Sequence, residues 1–477
     1  MKQYLKNGVK LAAAALVCAL PFLATESQAV PAFARQTGMV CTTCHIGQDN
    51  VPNFTRTARI FQMRGYFTPT IRERIRGDGQ TIEGEPQYGG DYLSLNMMDF
   101  FSARFVSELA QQSKTNGVKS DVTSTPAARM SMFFTGPITD WLGLWTEIGY
   151  LANNSINSVT VGNTGPTNEN TFAFDEFRLA TSRTIGENSF IGASIGNEPG
   201  DVVTEFVFPL GIPRFFSLGQ GGVGKAMTMS TLSLHAFLDD QWWVQFAAQS
   251  GVTNNSFSNG WQQYYAFAWN PLRQTENDLW IGLEYSHGND NASILTPTKS
   301  SFICPAACPA GVVDTSLSFT NTLGGRPVAG APVEKVDSFN TYAWRVEHTA
   351  ADRGPHSWVA MIQGSGTKQD YISGASAKRD AVGLYIRYYY LRTYGFQASW
   401  SHDFKYEYTS PTGVRSDFGH VNSKNLVLLW SPAMNFSVHL NYQFEQPNAV
   451  YNVEGSTSTP ISPSRTSSWN LGFEYNF

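Results

Sequence analysis

The sequence predicts a β-barrel of the bacterial outer membrane, preceded by a small N-terminal segment of helix and coil. Composition is the first reason. Charged residues make up 15% of the 477 residues and aromatic residues 13%, although the mean hydropathy is only -0.23. A soluble domain carries about 25% charged residues. Few charges, many aromatic residues and no long apolar run after the leader are typical of strands that face lipid on one side only. The formal net charge of -5 argues against nucleic acid as a partner.

Alternation with period two is the second reason, and it recurs from about residue 92 to residue 477. The clearest apolar rows lie in residues 142–150, 279–285, 382–388 and 436–444. We expect these rows to face lipid and the intervening polar residues to face a lumen. A soluble sandwich also alternates, but its water-facing side usually carries more Lys and Glu. The pattern predicts about sixteen strands, with short periplasmic turns such as 186–188 and long outer loops such as 288–336.

The C-terminal strand is the third reason. The chain ends on an alternating aromatic row that resembles the last strand of outer-membrane barrels. Its members are Trp469, Leu471, Phe473, Tyr475 and Phe477. A final strand of this kind closes the barrel, so that no sheet edge is left in lipid.

Residues 1–29 have the features of a signal peptide. A lysine-rich start precedes an apolar stretch at 11–24, which is too short to span a bilayer comfortably. Small residues at positions 27 and 29 predict cleavage before Val30. Cys18 is an alternative lipidation site, but the residue before it is larger than lipidation favours. We therefore expect an exported, membrane-inserted chain.

The motif Cys41-Thr42-Thr43-Cys44-His45 predicts one covalently bound haem c. Two thiols at this spacing add to the two vinyl groups of haem, and the histidine that follows becomes the proximal iron ligand. A thioredoxin-like site would need a βαβ pattern around the pair, and a zinc site would need a fourth ligand. Cys41, Cys44 and His45 are therefore the predicted cofactor-binding residues.

The predicted domains are a cytochrome segment at 30–77, a linker at 78–91 and the barrel at 92–477. An amphipathic helix is expected over 53–64. Fewer than 50 residues cannot enclose a haem and form a core alone. The segment must therefore pack against the barrel, in its lumen as a plug or at its periplasmic side.

The motif leaves the distal haem ligand open. Met39, Met63, Met97 and Met98 are nearest in sequence, and a methionine at helical spacing is usually core filler. Alternation places Met98 on the polar face that should look inward, so Met98 is the candidate distal ligand. The remaining cysteines, at positions 304 and 308, favour a loop disulfide because the compartment is oxidising.

The cytochrome segment resembles a known family. Residues 31–38 (P-A-F-A-R-Q-T-G), the C-T-T-C-H motif, Arg59-Ile60-Phe61 and Gly65-Tyr66 are similar to the fused monohaem cytochrome–porins, which are outer-membrane iron oxidases. The resemblance covers the whole chain, although only the N-terminal block is specific. It implies that Cys41 and Cys44 hold the haem and that His45 is its proximal ligand. It further implies Fe(II) as the electron donor.

These features together predict an electron conduit in the outer membrane. Extracellular Fe(II) would reduce the haem, and a periplasmic carrier, a cytochrome or a copper protein, would accept the electron. The chain has a single C-x-x-C-H motif, and the hydrocarbon layer is about 30 Å thick. We therefore expect the carrier to dock at the periplasmic mouth. Two alternatives stay open: a porin with a cytochrome plug, and a haem enzyme or sensor with an open distal site.

Overall fold

The computed structural model describes residues 31–37, 39, 41–47, 54–66, 100–115, 117–139, 141–151, 171–186, 188–196, 231–250, 261–272, 277–288, 298–299, 317–318, 336–372, 374–409, 411, 413, 415–417, 420–433, 435–448, 452–453 and 466–476. Structural statements below concern these residues alone. The predicted leader and linker, Met97, Met98, both later cysteines and Phe477 lie outside them.

Sixteen long strands in the described part of the chain form one antiparallel barrel. They are β1 (Phe101–Thr115), β2 (Thr123–Pro137), β3 (Gly143–Leu151), β4 (Thr171–Gly186), β5 (Ser189–Gly196), β6 (Thr231–Leu238), β7 (Trp242–Ser250), β8 (Trp261–Trp269), β9 (Asn277–Gly288), β10 (Val336–Arg353), β11 (His356–Tyr371), β12 (Ser376–Tyr390), β13 (Tyr394–Thr409), β14 (His420–Ala433), β15 (Phe436–Asn448) and β16 (Thr466–Asn476). Short strands Val118–Lys119, Arg415–Asp417 and Asn452–Val453 extend the sheet, and Thr298–Lys299 pairs separately with Leu317–Ser318.

The barrel closes because β1 has a partner on both sides. Its residues pair with β2 on one edge and with β16 on the other, for example Phe105 with Met130 and with Tyr475. Every other long strand pairs with its two neighbours along the chain. Closure leaves no unpaired sheet edge along the barrel wall, as a membrane-spanning sheet requires. The predicted closing role of the C-terminal strand is confirmed.

Side chains alternate between the lumen and the outer surface, since consecutive strand residues point to opposite faces. In β9, Trp280 and Glu284 are buried inside, whereas Leu283 and Tyr285 are 55% and 43% exposed outside. The predicted outward row of β12 is likewise exposed at Leu384. Such an apolar outer surface would not persist in water, and it fits lipid. The protein therefore lies in the outer membrane.

The two ends of the barrel differ in the length of their connections. At one end the strands are joined by short turns, and at the other by the long segments 151–171, 196–231 and 288–336. Two of the short turns place consecutive residues at positive φ, Asp239 with Asp240 and Leu391 with Arg392. Two positive φ values are the mark of a type I′ hairpin turn. The short-turn end is the periplasmic end in barrels of this kind.

The N-terminal segment contains two short helices, α1 (Pro31–Thr37) and α2 (Arg56–Met63), and a 3-10 turn at Cys41–Thr43. α2 begins three residues later than predicted, because Thr55 caps it and accepts a hydrogen bond from the Ala58 N–H at 3.4 Å. The helix ends before Gly65, whose φ is +76°. In the described part of the chain, no helix is long and apolar enough to cross a membrane.

The described residues of this segment, 31–37, 39, 41–47 and 54–66, lie inside the barrel and form the plug. Its side chains and carbonyls contact inward-facing groups on strands all around the ring. These contacts include Gln36 with Thr135 on β2, Arg59 with Glu347 on β10, and Ile46 with Ser357 on β11. Others reach Asp240 and Arg392, which lie in the short turns. The plug therefore occupies the lumen at the short-turn mouth, which is one of the two positions the sequence predicted.

Candidate functional site: the plug in the barrel lumen

Buried ion pairs fasten α2 to the barrel wall. Arg56 lies 3.2 Å from a carboxylate oxygen of Asp278 on β9, and it also pairs with Asp240. Arg59, one helical turn further, pairs with Glu347, and both side chains are almost fully buried. Burial lowers the pKa of Arg59 from its usual value to about 10, so its guanidinium still carries a full charge at neutral pH. Breaking such a buried pair is costly, because the remaining charge is left in a poorly solvated place.

Polar contacts hold the backbone of the plug as well. The Gln36 amide donates to the Thr135 carbonyl at 2.7 Å, and Ser182 donates to the Arg64 carbonyl at 2.6 Å. The Met63 carbonyl lies 2.9 Å from Nε2 of His235. A carbonyl can only accept, so this ring nitrogen carries the hydrogen.

An aromatic stack ties both ends of the plug to β3. The ring of Tyr66 lies parallel to Phe33 at 5.3 Å and to Trp145 at 5.7 Å, and Phe61 meets Phe33 edge to face at 5.0 Å. Offset and edge-to-face pairs of this kind add about 0.5–1.5 kcal/mol each beyond area burial. The N-terminal helix and the end of α2 therefore share one anchor.

Gly65 allows the plug to approach β4 closely. A Cβ at this position would lie 3.1 Å from the Ala180 Cβ and 3.2 Å from its carbonyl carbon and oxygen, and the positive φ already disfavours any other residue. Gly65 belongs to the Gly-Tyr pair on which the family resemblance rests. The structure thus gives this pair a packing role: Gly65 permits the contact and Tyr66 supplies the ring.

The C-T-T-C-H motif lies on the opposite wall, beside β11 to β14. The 3-10 turn covers Cys41–Thr43, and His45 forms an isolated antiparallel bridge with Phe54, whose ring is 5.3 Å from the imidazole. His45 is buried and Cys44 half-buried. Ile46, which follows the motif, is fully buried against residues of the wall: Val359, Met361, Tyr385, Tyr389 and Leu429.

The donor set of the motif fits haem c. Two thiols with two residues between them, followed at once by an imidazole, match the two vinyl groups and the iron of one haem. Cys41 and Cys44 would hold the group, and His45 would be the proximal ligand. Met63 is fully buried in an aromatic cluster of the wall, as expected for core filler. Met98, the candidate distal ligand, lies outside the described residues.

Sequence reasoning did not identify the wall residues that receive the plug. Alternation indicates that Asp278, Glu347 and His235 face the lumen, but not which of them α2 meets. The available signal was the pair Arg56 and Arg59, two cations one helical turn apart on an otherwise amphipathic helix. His287 and His402 belong to outward rows, where each meets an asparagine.

Comparison with known proteins gives a structural likeness and no relative by sequence. No protein-family model matches the chain, and no curated protein is similar to it. Among solved structures, OmpT of Vibrio cholerae in its trimer form is 12% identical, over 79% of this chain and 98% of that chain, with a TM-score of 0.46. OprB of Pseudomonas putida is 12% identical, over 79% and 94%, with a TM-score of 0.45. The anion-selective porin from Comamonas acidovorans is 8% identical, over 79% and 99%, with a TM-score of 0.43.

The strand pairing and the outer surface of the chain itself carry the structural conclusion. Sixteen described strands close into one antiparallel ring, and apolar side chains cover its outside. Barrels of sixteen to eighteen strands are the size of porins. The chain is an outer-membrane β-barrel of porin-like fold, with its N-terminal segment in the lumen.

Proposed function

We propose that this protein transfers electrons at the outer membrane through one haem c bound to Cys41, Cys44 and His45. Fe(II) outside the cell is the proposed electron donor, and a periplasmic cytochrome or copper protein the acceptor. The observation that supports this most is the position of the C-T-T-C-H motif inside the lumen, on a plug that buried ion pairs fasten to the wall. If haem binds this motif, the plug would hold it at a fixed place between the two sides of the membrane.

The haem, when bound, would supply the one-electron chemistry. The protein's own residues do the positioning. Arg56 and Arg59 fix α2 against carboxylates of the wall, and Ile46 seats the other arm of the plug on β11 to β14. Electron transfer of this kind needs no general base or nucleophile. What the chain must provide is a rigid mount, axial ligation and a barrier to lipid.

The position of the plug supports docking of the acceptor at the short-turn mouth. The plug reaches the turns that contain Asp240 and Arg392, at the short-turn mouth. A single haem cannot stand at both surfaces of a hydrocarbon layer about 30 Å thick. We therefore expect the carrier to bind at this mouth. Rapid carrier reduction by a barrel whose short-turn mouth has been blocked would refute this.

An anaerobic titration tests the proposal. Fe(II) is added to outer-membrane vesicles that contain the protein, and the absorption bands of the haem are followed. Rapid reduction by Fe(II) is expected, with reduction by dithionite as the positive control. Reduction by dithionite but not by Fe(II) would rule out iron as the donor and leave a haem protein of another purpose. Vesicles with the double variant Cys41→Ala/Cys44→Ala control for iron reacting elsewhere.

A diffusion channel with a plug as its gate is the second candidate. It is favoured by the size of the barrel, because sixteen strands enclose a lumen that conducts water and solutes unless it is filled. In that case the plug would be displaced to open the pore, and a bound haem would regulate this displacement. The conductance of the intact protein in planar bilayers separates the two candidates, because a plugged conduit should pass little current.

A further inference from the structure

Arg178 on β4 is a buried cation without a counter-charge in the described part of the chain. It faces the lumen, as do Ala180 and Ser182 on the same strand, and only 5% of it is exposed. Its Nε and Nη2 atoms are buried, and neither donates a hydrogen bond to an acceptor among the described residues. These two nitrogens form one edge of the guanidinium, and their N–H bonds run parallel.

Among the described residues, the groups around Arg178 do not neutralise it. Its guanidinium lies 5.9 Å from the centre of the Tyr66 ring. The face of an aromatic ring attracts a cation, but it offers no hydrogen-bond acceptor to the N–H bonds in the guanidinium plane. His235 is close enough to interact with this charge, but an imidazole is neutral or cationic and so cannot act as a counter-charge. The carboxylate of Glu147, on the neighbouring strand, is paired with Arg129 at 2.8 Å.

A buried guanidinium left in this state is unfavourable, because desolvation of a charge is repaid only by pairing and hydrogen bonds. Two parallel N–H bonds match the two oxygens of a carboxylate or a phosphate better than any monodentate anion. The edge with no partner is therefore complementary to one ligand chemistry, an oxyanion with two accessible oxygens.

We propose that Arg178 binds a carboxylate or phosphate oxyanion in the lumen, next to Tyr66 at the end of the plug. The oxyanion comes from one of two sources: a free anion from the medium, or a propionate of a haem that reaches across the lumen from the motif on the opposite wall. In either case the ligand joins the wall to the plug, since Tyr66 belongs to the plug and Arg178 to β4. The propionate source rests on the proposed function, and the free-anion source does not.

The first experiment is urea unfolding of the purified protein in detergent, with inorganic phosphate or with chloride at equal ionic strength. If the oxyanion comes from the medium, phosphate raises the unfolding midpoint of the wild-type protein, because a ligand that binds only the folded state stabilises it. Arg178→Gln then abolishes this response, and Arg178→Lys, which keeps the charge but lacks the fork, weakens it. Arg183→Gln removes an exposed arginine from the same strand and is expected to respond like the wild-type protein.

The second experiment is a redox titration of the same variants, after a pyridine haemochrome spectrum has shown whether haem is bound. If a propionate is the ligand, phosphate has no effect on unfolding, and Arg178→Gln shifts the haem midpoint potential while Arg183→Gln does not. Absence of haem would overturn the proposed function. The effect of phosphate on the unfolding midpoint would then still show whether Arg178 binds an oxyanion. No phosphate response and no change in potential, together with a higher unfolding midpoint for Arg178→Gln, would show an uncompensated cation and overturn the proposal.

Discussion

Single residues inside the lumen carry more consequence than single residues on the wall outside. The outward positions need only be apolar, so one can replace another at little cost. Inside, a charge such as that of Arg59 pairs with a buried carboxylate, and loss of that carboxylate leaves the charge in a poorly solvated place. Predictions at this scale therefore concern the haem motif and the ion pairs of the plug.

Replacing Cys44 with alanine should leave haem attached through Cys41 alone. One vinyl group then stays unsaturated, so the bands of the reduced haem move to longer wavelength in an absorption spectrum. The double variant Cys41→Ala/Cys44→Ala should lose haem staining on a denaturing gel. His356→Ala, at an exposed histidine at the start of β11, should change neither measurement. An unshifted spectrum for Cys44→Ala would contradict the proposed attachment.

Replacing Glu347 with glutamine should loosen the plug. Arg59 and Arg345 both donate to this carboxylate, and both stay buried when it is neutralised. Loss of a buried partner costs about 3–5 kcal/mol. Faster hydrogen exchange in α2, measured by mass spectrometry, is the expected result.

The exposed pair of Lys368 and Asp370 gives the matched control for Glu347→Gln. Its charged atoms are 2.8 Å apart, and both side chains are a third or more exposed. Such surface pairs contribute about 0–1 kcal/mol, so Asp370→Asn should leave the exchange of α2 unchanged. Equal effects of the two variants would show that the Arg59 pair does not hold the plug.

At the scale of elements, the strand register follows from side-chain alternation, and closure depends on close backbone contact. Trp469 to Phe473 in β16 keep the predicted alternation, and their partners on β1 and β15 fall on the same faces. Between β1 and β16 the register slips once, between Glu108 and Ala110 on β1. This bulge keeps polar residues inward on both sides of the slip.

Gly472→Val in β16 should impair closure of the barrel. A Cβ at Gly472 would lie 2.6 Å from the Ser107 carbonyl oxygen on β1 and 2.7 Å from the His439 ring on β15. The His439 ring would have to rotate away, and the β1 backbone at Ser107 could move aside only by losing its hydrogen bonds to β16. The folded barrel should then lose its heat-dependent mobility on a semi-native gel. Gly186→Ala, where a Cβ meets nothing closer than 3.9 Å, should fold normally.

At the scale of the whole molecule, the plug decides whether the lumen conducts. A barrel of sixteen strands is wide enough for an aqueous channel, and the plug occupies its short-turn mouth. Deletion of 31–66 should therefore open the pore. In planar bilayers, the intact protein should pass little current and the deletion variant should show stepwise open-channel conductance. High, steady conductance of the intact protein would favour the diffusion channel over the electron conduit.

The sequence by itself determined the type of barrel, the direction of each strand face, the closing strand and the identity of the candidate haem residues. These follow from local rules: period-two alternation, turn length and the fixed spacing of C-x-x-C-H. Even α2 was predicted, except that the Thr55 cap delays its start. Such features depend on residues close together in the chain, whose relative positions are fixed by local backbone geometry.

Only the tertiary structure decided where the plug lies and what it meets. The pairing of Arg59 with Glu347 joins residues 288 positions apart, and the contact of Tyr66 with Arg178 joins β4 to the end of the plug. Alternation places a charge in the lumen but not opposite a particular partner, because the plug precedes all the strands in the chain and meets strands that are far from it in sequence. The counter-charges, the close approach at Gly65 and the unpaired edge of Arg178 therefore emerge from closure of the ring around its own N-terminal segment.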